Sequence, residues 1–310
     1  MKSNNKSKSN ILLAIVCIFL LIGIAFLIYP VLGNIMVSIE QASINNEYKQ
    51  NIKHMDEEKR EEELKKAEEY NENLGSQVVE DPFNEEAKEE TTQTVKDKYY
   101  SALNIGDDEI MGTVEIPSIN VDLPIYHGTS EIALQKGIGH LEGTSLPVGG
   151  INTHCVLTGH SALPNAKMFT DLEDVVKGDF FYVTEIGKTL AYKVVRIKVV
   201  EANDSSDLGV TPNKDYVTLL TCTPYGINTH RLLVTGQRDL VEEKRLEKEK
   251  KELDQEDEEK SPVKQAVDVV TNDPALMNSI WLVLGILLIV IIIIISSIVS
   301  SRKNKKKQKE

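Results

Sequence analysis

Short segments rich in Val, Ile, Leu, Thr and Tyr follow one another through the middle of this 310-residue chain. Clusters of Gly, Pro, Asn and Asp separate them, and these residue types favour turns. Many short strands with little helix between them predict a mainly β fold, a closed or nearly closed β-barrel. A helix is predicted only at 166–175 in this region. The predicted strands are 111–119, 121–126, 153–160, 179–186, 189–202, 216–222 and 230–236.

The last two predicted strands are joined by a loop that contains Pro224, Gly226 and Asn228. These residues suit a tight connection, because Pro fixes φ and Gly or Asn tolerates positive φ. Cys222 ends the first of the two strands and Arg231 begins the second. We therefore expect a thiol and a guanidinium at one mouth of the barrel.

A third polar group lies at the end of an earlier predicted strand, where Leu-Thr-Gly precedes His160. Cys222 could instead be a buried core residue, His160 a loop histidine and Arg231 a surface cation. Together they provide a nucleophile, an acid/base and a cation suited to an oxyanion. We therefore predict Cys222, His160 and Arg231 as catalytic residues, and the competitors of His160 are His54, His127, His140, His154 and His230.

Two other cysteines bear on the redox state. Cys17 lies in an apolar run, and Cys155 lies in the strand that precedes His160. Cys155 and Cys222 could form one disulfide, but a catalytic thiol argues against it. Cys155 is expected to be a small buried apolar residue.

The stretch TLLTCTPYGINTHR resembles the signature of sortases, the cysteine transpeptidases of Gram-positive cell surfaces, and LTGH matches the histidine motif of that family. HLEGTSLPVGG, the tripeptide Asp81-Pro82-Phe83 and a second apolar run at 280–299 are similar to features of class C, the pilus-assembling sortases. The resemblance covers about residues 110–238 and implies a sortase-type barrel.

The resemblance implies a reaction as well. The Cys222 thiolate would cleave an LPxTG-like sorting signal between Thr and Gly, and Arg231 would steady the oxyanion. His160 would protonate the leaving amine. A lysine of the next pilin subunit would then resolve the thioester through an isopeptide bond. A wall-anchoring sortase that uses peptidoglycan as acceptor is the alternative, and a non-catalytic module that binds sorting signals is a second one.

In pilus sortases, a segment like Asp81-Pro82-Phe83 forms a lid over the active site. The resemblance implies an acid near the Arg and an aromatic ring over the thiol. The chain departs from the expected pattern in two places. Ser161-Ala162 follows His160 where many relatives have Arg-Gly, and Thr235 replaces a usual Arg.

Two apolar runs, Ile11 to Leu32 and Ile280 to Val299, lack charged residues and reach the roughly 20 residues that a transmembrane helix needs. Basic tails flank both, which predicts cytoplasmic termini and an extracellular catalytic domain. The predicted order is a cytoplasmic tail (1–10), a transmembrane helix (11–33), a helical stalk (34–104) that begins with one solvated helix at 35–74 and contains a lid segment (76–84), the catalytic barrel (105–238), a charged helix or linker (239–279), a transmembrane helix (280–300) and a cytoplasmic tail (301–310).

The formal net charge is −13, and the region between the tails is more acidic still, because the tails carry nine of the 35 Lys and Arg residues but one of the 48 Asp and Glu residues. An acidic central domain is a poor partner for nucleic acid, whose phosphates require clustered Lys and Arg. We predict a monomer at the cell membrane whose partners are pilin subunits, with no metal and no cofactor.

Overall fold

The computed structural model describes residues 4–74, 83, 93–105, 109–164 and 166–253, with isolated positions 278, 281, 284, 285, 288 and 292. The chain divides into two units. One comprises Met1–Met36 and Val270–Glu310, and the other is Val37–Val269. The second unit contains the barrel and every site residue discussed below.

Within the described residues, eight β-strands close into a barrel, which confirms the predicted mainly β fold. The order around the barrel is β1-β2-β3-β4-β7-β8-β6-β5. The pairs β2/β3 and β4/β7 are parallel, and the other neighbours are antiparallel. The strands are Ile110–Ile116 (β1), Val121–His127 (β2), Ile138–His140 (β3), Thr153–Thr158 (β4), Phe180–Glu185 (β5), Lys188–Glu201 (β6), Asp215–Thr223 (β7) and His230–Arg238 (β8).

Alternating side chains fill the barrel. On β5, Phe181 and Val183 are fully buried while their neighbours are partly exposed, as the two-residue period of a strand requires. The Phe181 ring stacks on Tyr192 of β6, with centroids 5.6 Å apart. A β-carbon at Gly236 would lie 2.4 Å from the Phe181 ring, so only glycine lets this aromatic pair fill the core.

Glu185 is the exception in this apolar interior. It is fully buried, and neither carboxylate oxygen has a hydrogen-bond partner among the described residues. Burial raises the pKa of Glu185 from its usual 4.5 to about 8, although Lys188 and Arg238 partly oppose the shift.

The helices are Asn4–Lys53 (α1), Glu57–Asn73 (α2), Gln93–Ser101 (α3), Glu131–Lys136 (α4) and Leu240–Leu253 (α5). One continuous helix was expected from Ile35 to Leu74, but the chain breaks at residues 54–56 and α2 starts afresh after an extended Asp56. The predicted helix at 166–175 is a 3-10 turn, Thr170–Asp174. The charged segment after the barrel, predicted as a helix or linker, begins with α5.

The expectation that residues 35–74 form a solvated stalk is wrong. Tyr48 of α1 donates a hydrogen bond to Met111 O and accepts one from Ile186 N. On α2, Ala67 and Tyr70 are buried in the same core as the barrel residues. The charged composition concealed an apolar stripe, which consists of Leu64, Ala67, Tyr70 and Leu74.

None of the helices that the structure describes has the length and apolar character needed to cross a bilayer, so the two predicted spans are not confirmed. Most of 280–300, the second predicted span, lies outside the described residues.

Candidate active site

Antiparallel pairing of β7 with β8 places Cys222 directly opposite Arg231. Both residues are buried, at 7% exposure each. The connecting loop turns as its sequence predicted, since Gly226 and Asn228 have φ of 71° and 63°. The backbone amide of Asn228 donates to Pro224 O at 3.0 Å, which closes the turn.

Parallel pairing of β4 with β7 brings the histidine to the same level. Thr158 faces Leu220, and Gly159 N donates to Leu220 O at 3.1 Å. His160 and Cys222 each lie two residues beyond that pair, so the register carries both side chains to one end of the barrel. The three predicted catalytic residues therefore come from adjacent strand ends.

Thr221 is a supporting residue that the sequence analysis missed. Its hydroxyl donates to Gly159 O at 2.6 Å and is buried. This bond ties the residue before His160 to the residue before Cys222. The one hint of this role in the sequence is that Thr221 precedes Cys222 in a Thr-Cys-Thr run. The hint is weak, because threonine is common in strands.

The His160 side chain is partly buried, with 22% exposure, and its Nε2 atom lies 4.0 Å from Glu131 Oε2. Burial lowers the pKa of His160 because it disfavours the charged ring, and the Glu131 carboxylate opposes that shift. The Phe83 ring lies beside the imidazole and tilted to it, with centroids 5.6 Å apart.

The Arg231 guanidinium is held by the loop that precedes it. Its Nη1 donates to the backbone oxygens of Asn228 and His230, both at 3.0 Å. The Phe83 ring covers it, with Cζ 5.2 Å from the ring centroid. A guanidinium fixed in this way has the planar N–H fork that suits a carbonyl oxygen.

Of the predicted lid, Phe83 is described, whereas Asp81 and Pro82 lie outside the described residues. Phe83 contacts the His160 and Arg231 side chains. The family resemblance had implied a different arrangement, with the aromatic ring over the thiol and the acid beside Arg231. Phe83 also packs against an apolar cluster beside Arg231. That cluster is formed by Leu141, Val156, Val200, Leu208, Leu220 and Leu233.

The other cysteine of the barrel is placed differently. Cys155 is a fully buried thiol within β4, and burial raises its pKa well above the usual value. A thiol held neutral in this way is a poor nucleophile. Neither Cys155 nor Cys222 is in a disulfide.

The other barrel histidines have structural contacts. Burial lowers the pKa of His140 to about 3, and its ring bonds to Tyr99 Oη and Ser145 O. His127 lies between two backbone oxygens, those of Glu109 and Ala102. His154 contacts Gly209 O and the Thr218 hydroxyl. His230 pairs with the exposed Glu201 at 3.3 Å.

The two departures from the expected family pattern lie near these elements. Thr235 on β8 is buried and exchanges a hydrogen bond with Thr218 at 2.9 Å. Ser161 directly follows His160 and is also buried. Neither is one of the three predicted catalytic residues.

A closed barrel with a thiol, a guanidinium and an imidazole at adjacent strand ends has the groups that a cysteine-dependent acyl-transfer enzyme requires. Residues 114–239 match the family description "Sortase domain". Sortase D of Bacillus subtilis is 32% identical over 130 residues, which cover 41% of this chain and 63% of that protein. The match thus spans less than two thirds of this curated relative.

Solved structures extend the comparison. Group B Streptococcus Pilus Island 1 Sortase C2 is 52% identical, with a TM-score of 0.53, over 60% of this chain and 99% of that one. A sortase C of Streptococcus pneumoniae, whose structure is described for catalysis and pilin substrate specificity, is 42% identical with a TM-score of 0.56, over 64% and 96%. The chain belongs to the sortase family, whose members are cysteine transpeptidases, and its structural relatives are mainly class C sortases.

Proposed function

We propose that this chain is a class C sortase that cleaves an LPxTG-like sorting signal between Thr and Gly and joins pilin subunits through isopeptide bonds. The observation that carries the proposal is the cross-strand pair of Cys222 and Arg231 with His160 at the same barrel end. The solved relatives include a pilus-island sortase and a sortase C described for pilin substrate specificity, which supports the substrate class.

In the first half of the reaction, Sγ of Cys222 bonds to the Thr carbonyl carbon of the sorting signal. Arg231 donates to the oxygen on which negative charge develops, so its stabilisation is greatest in the transition state. The bond from that carbon to the Gly nitrogen then breaks, and His160 gives its proton to the leaving amine. The products are a thioester on Cys222 and a released Gly-containing peptide.

In the second half, the side-chain amine of a pilin lysine attacks the thioester. His160 takes the proton of the attacking amine, the C–S bond breaks, and the Cys222 thiolate is regenerated. The new bond is an isopeptide between the Thr carboxyl carbon and the lysine nitrogen. Thiolate and imidazolium titrate as a coupled pair in this scheme.

We further propose that the segment with Asp81, Pro82 and Phe83 acts as a lid. Phe83 packs on the Arg231 guanidinium and on the apolar cluster that adjoins it. A sorting signal needs the same guanidinium, so Phe83 must leave before substrate binds. A cover that packs through a few side-chain contacts, such as those of Phe83 with His160, Arg231 and the apolar cluster, can open without unfolding the barrel.

Membrane attachment through residues 11–33 and 280–300, with both termini cytoplasmic and the barrel outside, is also a proposal. It rests on the absence of charged residues from the two apolar runs.

The test is to incubate the full chain with a sorting-signal peptide and a pilin fragment that contains the acceptor lysine. Mass spectrometry should find a thioester on Cys222 and then the isopeptide product. Cys222→Ala should form neither, whereas Cys155→Ala, which removes the buried thiol, should form both. A thioester that only a peptidoglycan amine resolves would favour the wall-anchoring alternative. Peptide binding without cleavage by the wild type would favour a binding module.

A further inference from the structure

One carboxylate that the proposed reaction does not use lies beside the imidazole. Glu131 is the first residue of α4, which packs against the barrel through buried Ala133 and Leu134. Ser130 caps this helix, since its hydroxyl accepts from Ala133 N at 3.2 Å. The backbone of Glu131 is therefore fixed relative to the barrel.

The Glu131 side chain is 60% exposed, and it has a hydrogen bond to its own helix. Its Oε1 accepts a hydrogen bond from Gln135 Nε2 at 2.8 Å, one helical turn further on. That bond leaves Oε2 facing His160 Nε2 at 4.0 Å. This separation is longer than a hydrogen bond, so the two groups interact chiefly as charges.

The imidazole nitrogen that faces Glu131 has no other described partner. His160 Nε2 is buried, and no described residue hydrogen-bonds to it. The Glu131 carboxylate is therefore the described group that stabilises a positive charge on this nitrogen. It offsets the free-energy cost of burying the charged ring. The two effects on the pKa of His160 are opposed in this way, since burial lowers that pKa and Glu131 raises it.

We propose that Glu131 is a positioning residue that orients the His160 ring through Nε2 and stabilises its imidazolium form. The proposal rests on the proposed function, in which His160 must hold a proton until the leaving amine takes it. With Nε2 turned toward Glu131, the opposite edge of the ring, which bears Nδ1, is left to exchange protons with the reacting groups.

Among the described residues, two other ionisable groups of the proposed reaction come from the neighbouring strands. Cys222 of β7 and Arg231 of β8 lie at the same barrel end, and Phe83, which contacts the ring, is uncharged. A Cys222 thiolate would also favour the imidazolium, while Arg231 would oppose it. The contribution of Glu131 is therefore best measured with Cys222 replaced by Ala, where the thiolate is absent.

The experiment is a pH titration of the histidine rings by NMR in the full chain with Cys222→Ala. The chain has 6 histidines, so ring-selective labelling gives few signals, and His160→Gln assigns the one of interest. Glu131→Gln removes the charge but keeps the shape. We expect the His160 midpoint to fall by about 0.5–1 pH unit, a roughly three- to tenfold smaller imidazolium population at fixed pH. Glu131→Asp, which keeps the charge, should shift it less.

The chain offers a matched control in a second carboxylate–imidazole pair, Glu201 with His230. Glu201→Gln, which removes a charge from that second pair, should leave the His160 midpoint in place. An unchanged His160 midpoint in Glu131→Gln overturns the proposal. So does an equal shift of His160 in Glu201→Gln, because the effect would then be a general one of net charge.

The kinetic counterpart uses the chain with Cys222 intact. In Glu131→Gln, the basic limb of kcat/KM against pH should move to lower pH by a shift similar to that of His160, because the imidazolium is lost earlier. A merely structural role for Glu131 would lower kcat/KM without moving the limb, which would also overturn the proposal. If the wild type cleaves no sorting peptide, the proposed function fails, whereas the ring titration still decides whether Glu131 and His160 are coupled.

Discussion

Phe83 lies on the guanidinium of Arg231, with Cζ 5.2 Å from the ring centroid. The same ring contacts His160, so one aromatic side chain covers two of the three predicted catalytic groups. An aromatic–Arg contact is worth roughly 0.5–2 kcal/mol, which is small enough for the cover to leave.

Phe83→Ala should therefore increase the rate at which a thiol reagent alkylates Cys222. We expect an increase of about threefold to tenfold, which corresponds to the loss of roughly 1 kcal/mol of closed-state contacts. The alkylation rate is followed by mass spectrometry. Phe180→Ala is the control, because Phe180 also stacks with a cation, Lys193 at 5.5 Å, but belongs to β5. Equal rates for wild type and Phe83→Ala would mean that Phe83 does not limit access to the thiol.

Arg231→Lys should reduce kcat for sorting-peptide cleavage by about 100- to 1,000-fold, the usual effect of losing an oxyanion donor. Lysine keeps the charge but lacks the planar fork that bonds to Asn228 O and, in the proposed reaction, would also bond to a substrate oxygen. Single-turnover kinetics would measure the loss. The control is Arg196→Lys, which alters an Arg of β6 that pairs with Asp207 and should retain most activity. Near-normal kcat in Arg231→Lys would reduce Arg231 to a structural cation.

Thr221→Val should impair catalysis through His160. The valine lacks the hydroxyl that donates to Gly159 O at 2.6 Å, so the strand end that carries His160 loses its tie to β7. We expect kcat to fall about tenfold or more and the unfolding free energy to fall by about 0.5–1.5 kcal/mol. Peptide-cleavage kinetics and urea unfolding check the two effects.

Thr158→Val is the matched control for this variant. Thr158 is fully buried on β4, and its hydroxyl has no hydrogen-bond partner among the described residues. Its replacement should leave kcat unchanged and stability equal or slightly higher. Similar losses in both variants would attribute the effect of Thr221→Val to packing.

Glu185 should make stability fall as pH rises. Its pKa is about 8 in the fold against a usual 4.5, so the folded state holds this proton more tightly than the unfolded state. The contribution of this proton to the unfolding free energy is most favourable below pH 4.5 and is lost between pH 4.5 and 8. The unfolding free energy then falls with a limiting slope of about 1.4 kcal/mol per pH unit. Glu185→Gln, which cannot ionise, should remove that slope. Urea unfolding from pH 5 to 9 measures it, with Glu201→Gln as an exposed control. Parallel profiles for wild type and Glu185→Gln would contradict the assignment.

The proposed membrane topology predicts that protease added outside wall-stripped cells cuts near Glu256 and spares tags placed at both termini. The acidic segment after α5 would be extracellular, and the two tails would be cytoplasmic. Western blots against the tags report the result. Digestion of the C-terminal tag in intact cells would exclude the two-span arrangement.

The sequence by itself determined the barrel class and the positions of the thiol and guanidinium. Alternation and turn residues are local properties, and the loop between β7 and β8 has its positive φ values at Gly226 and Asn228, as its residue types require. Because the loop is short, Cys222 and Arg231 had to meet across two antiparallel strands. The family motifs then picked out His160 from the other histidines.

The tertiary structure decided what depends on contacts between distant segments. The parallel pairing of β4 with β7 joins residues about 60 positions apart, and no local pattern specifies the hydrogen bond from Thr221 to Gly159 O. The packing of α2 on the barrel was hidden because charged residues dominate its sequence, although burial depends only on its apolar stripe. The approach of Glu131 to His160 has the same origin, since α4 is fixed by its own buried face. Packing free energy selects such contacts among many that the sequence allows, and only the folded chain shows which groups they bring together.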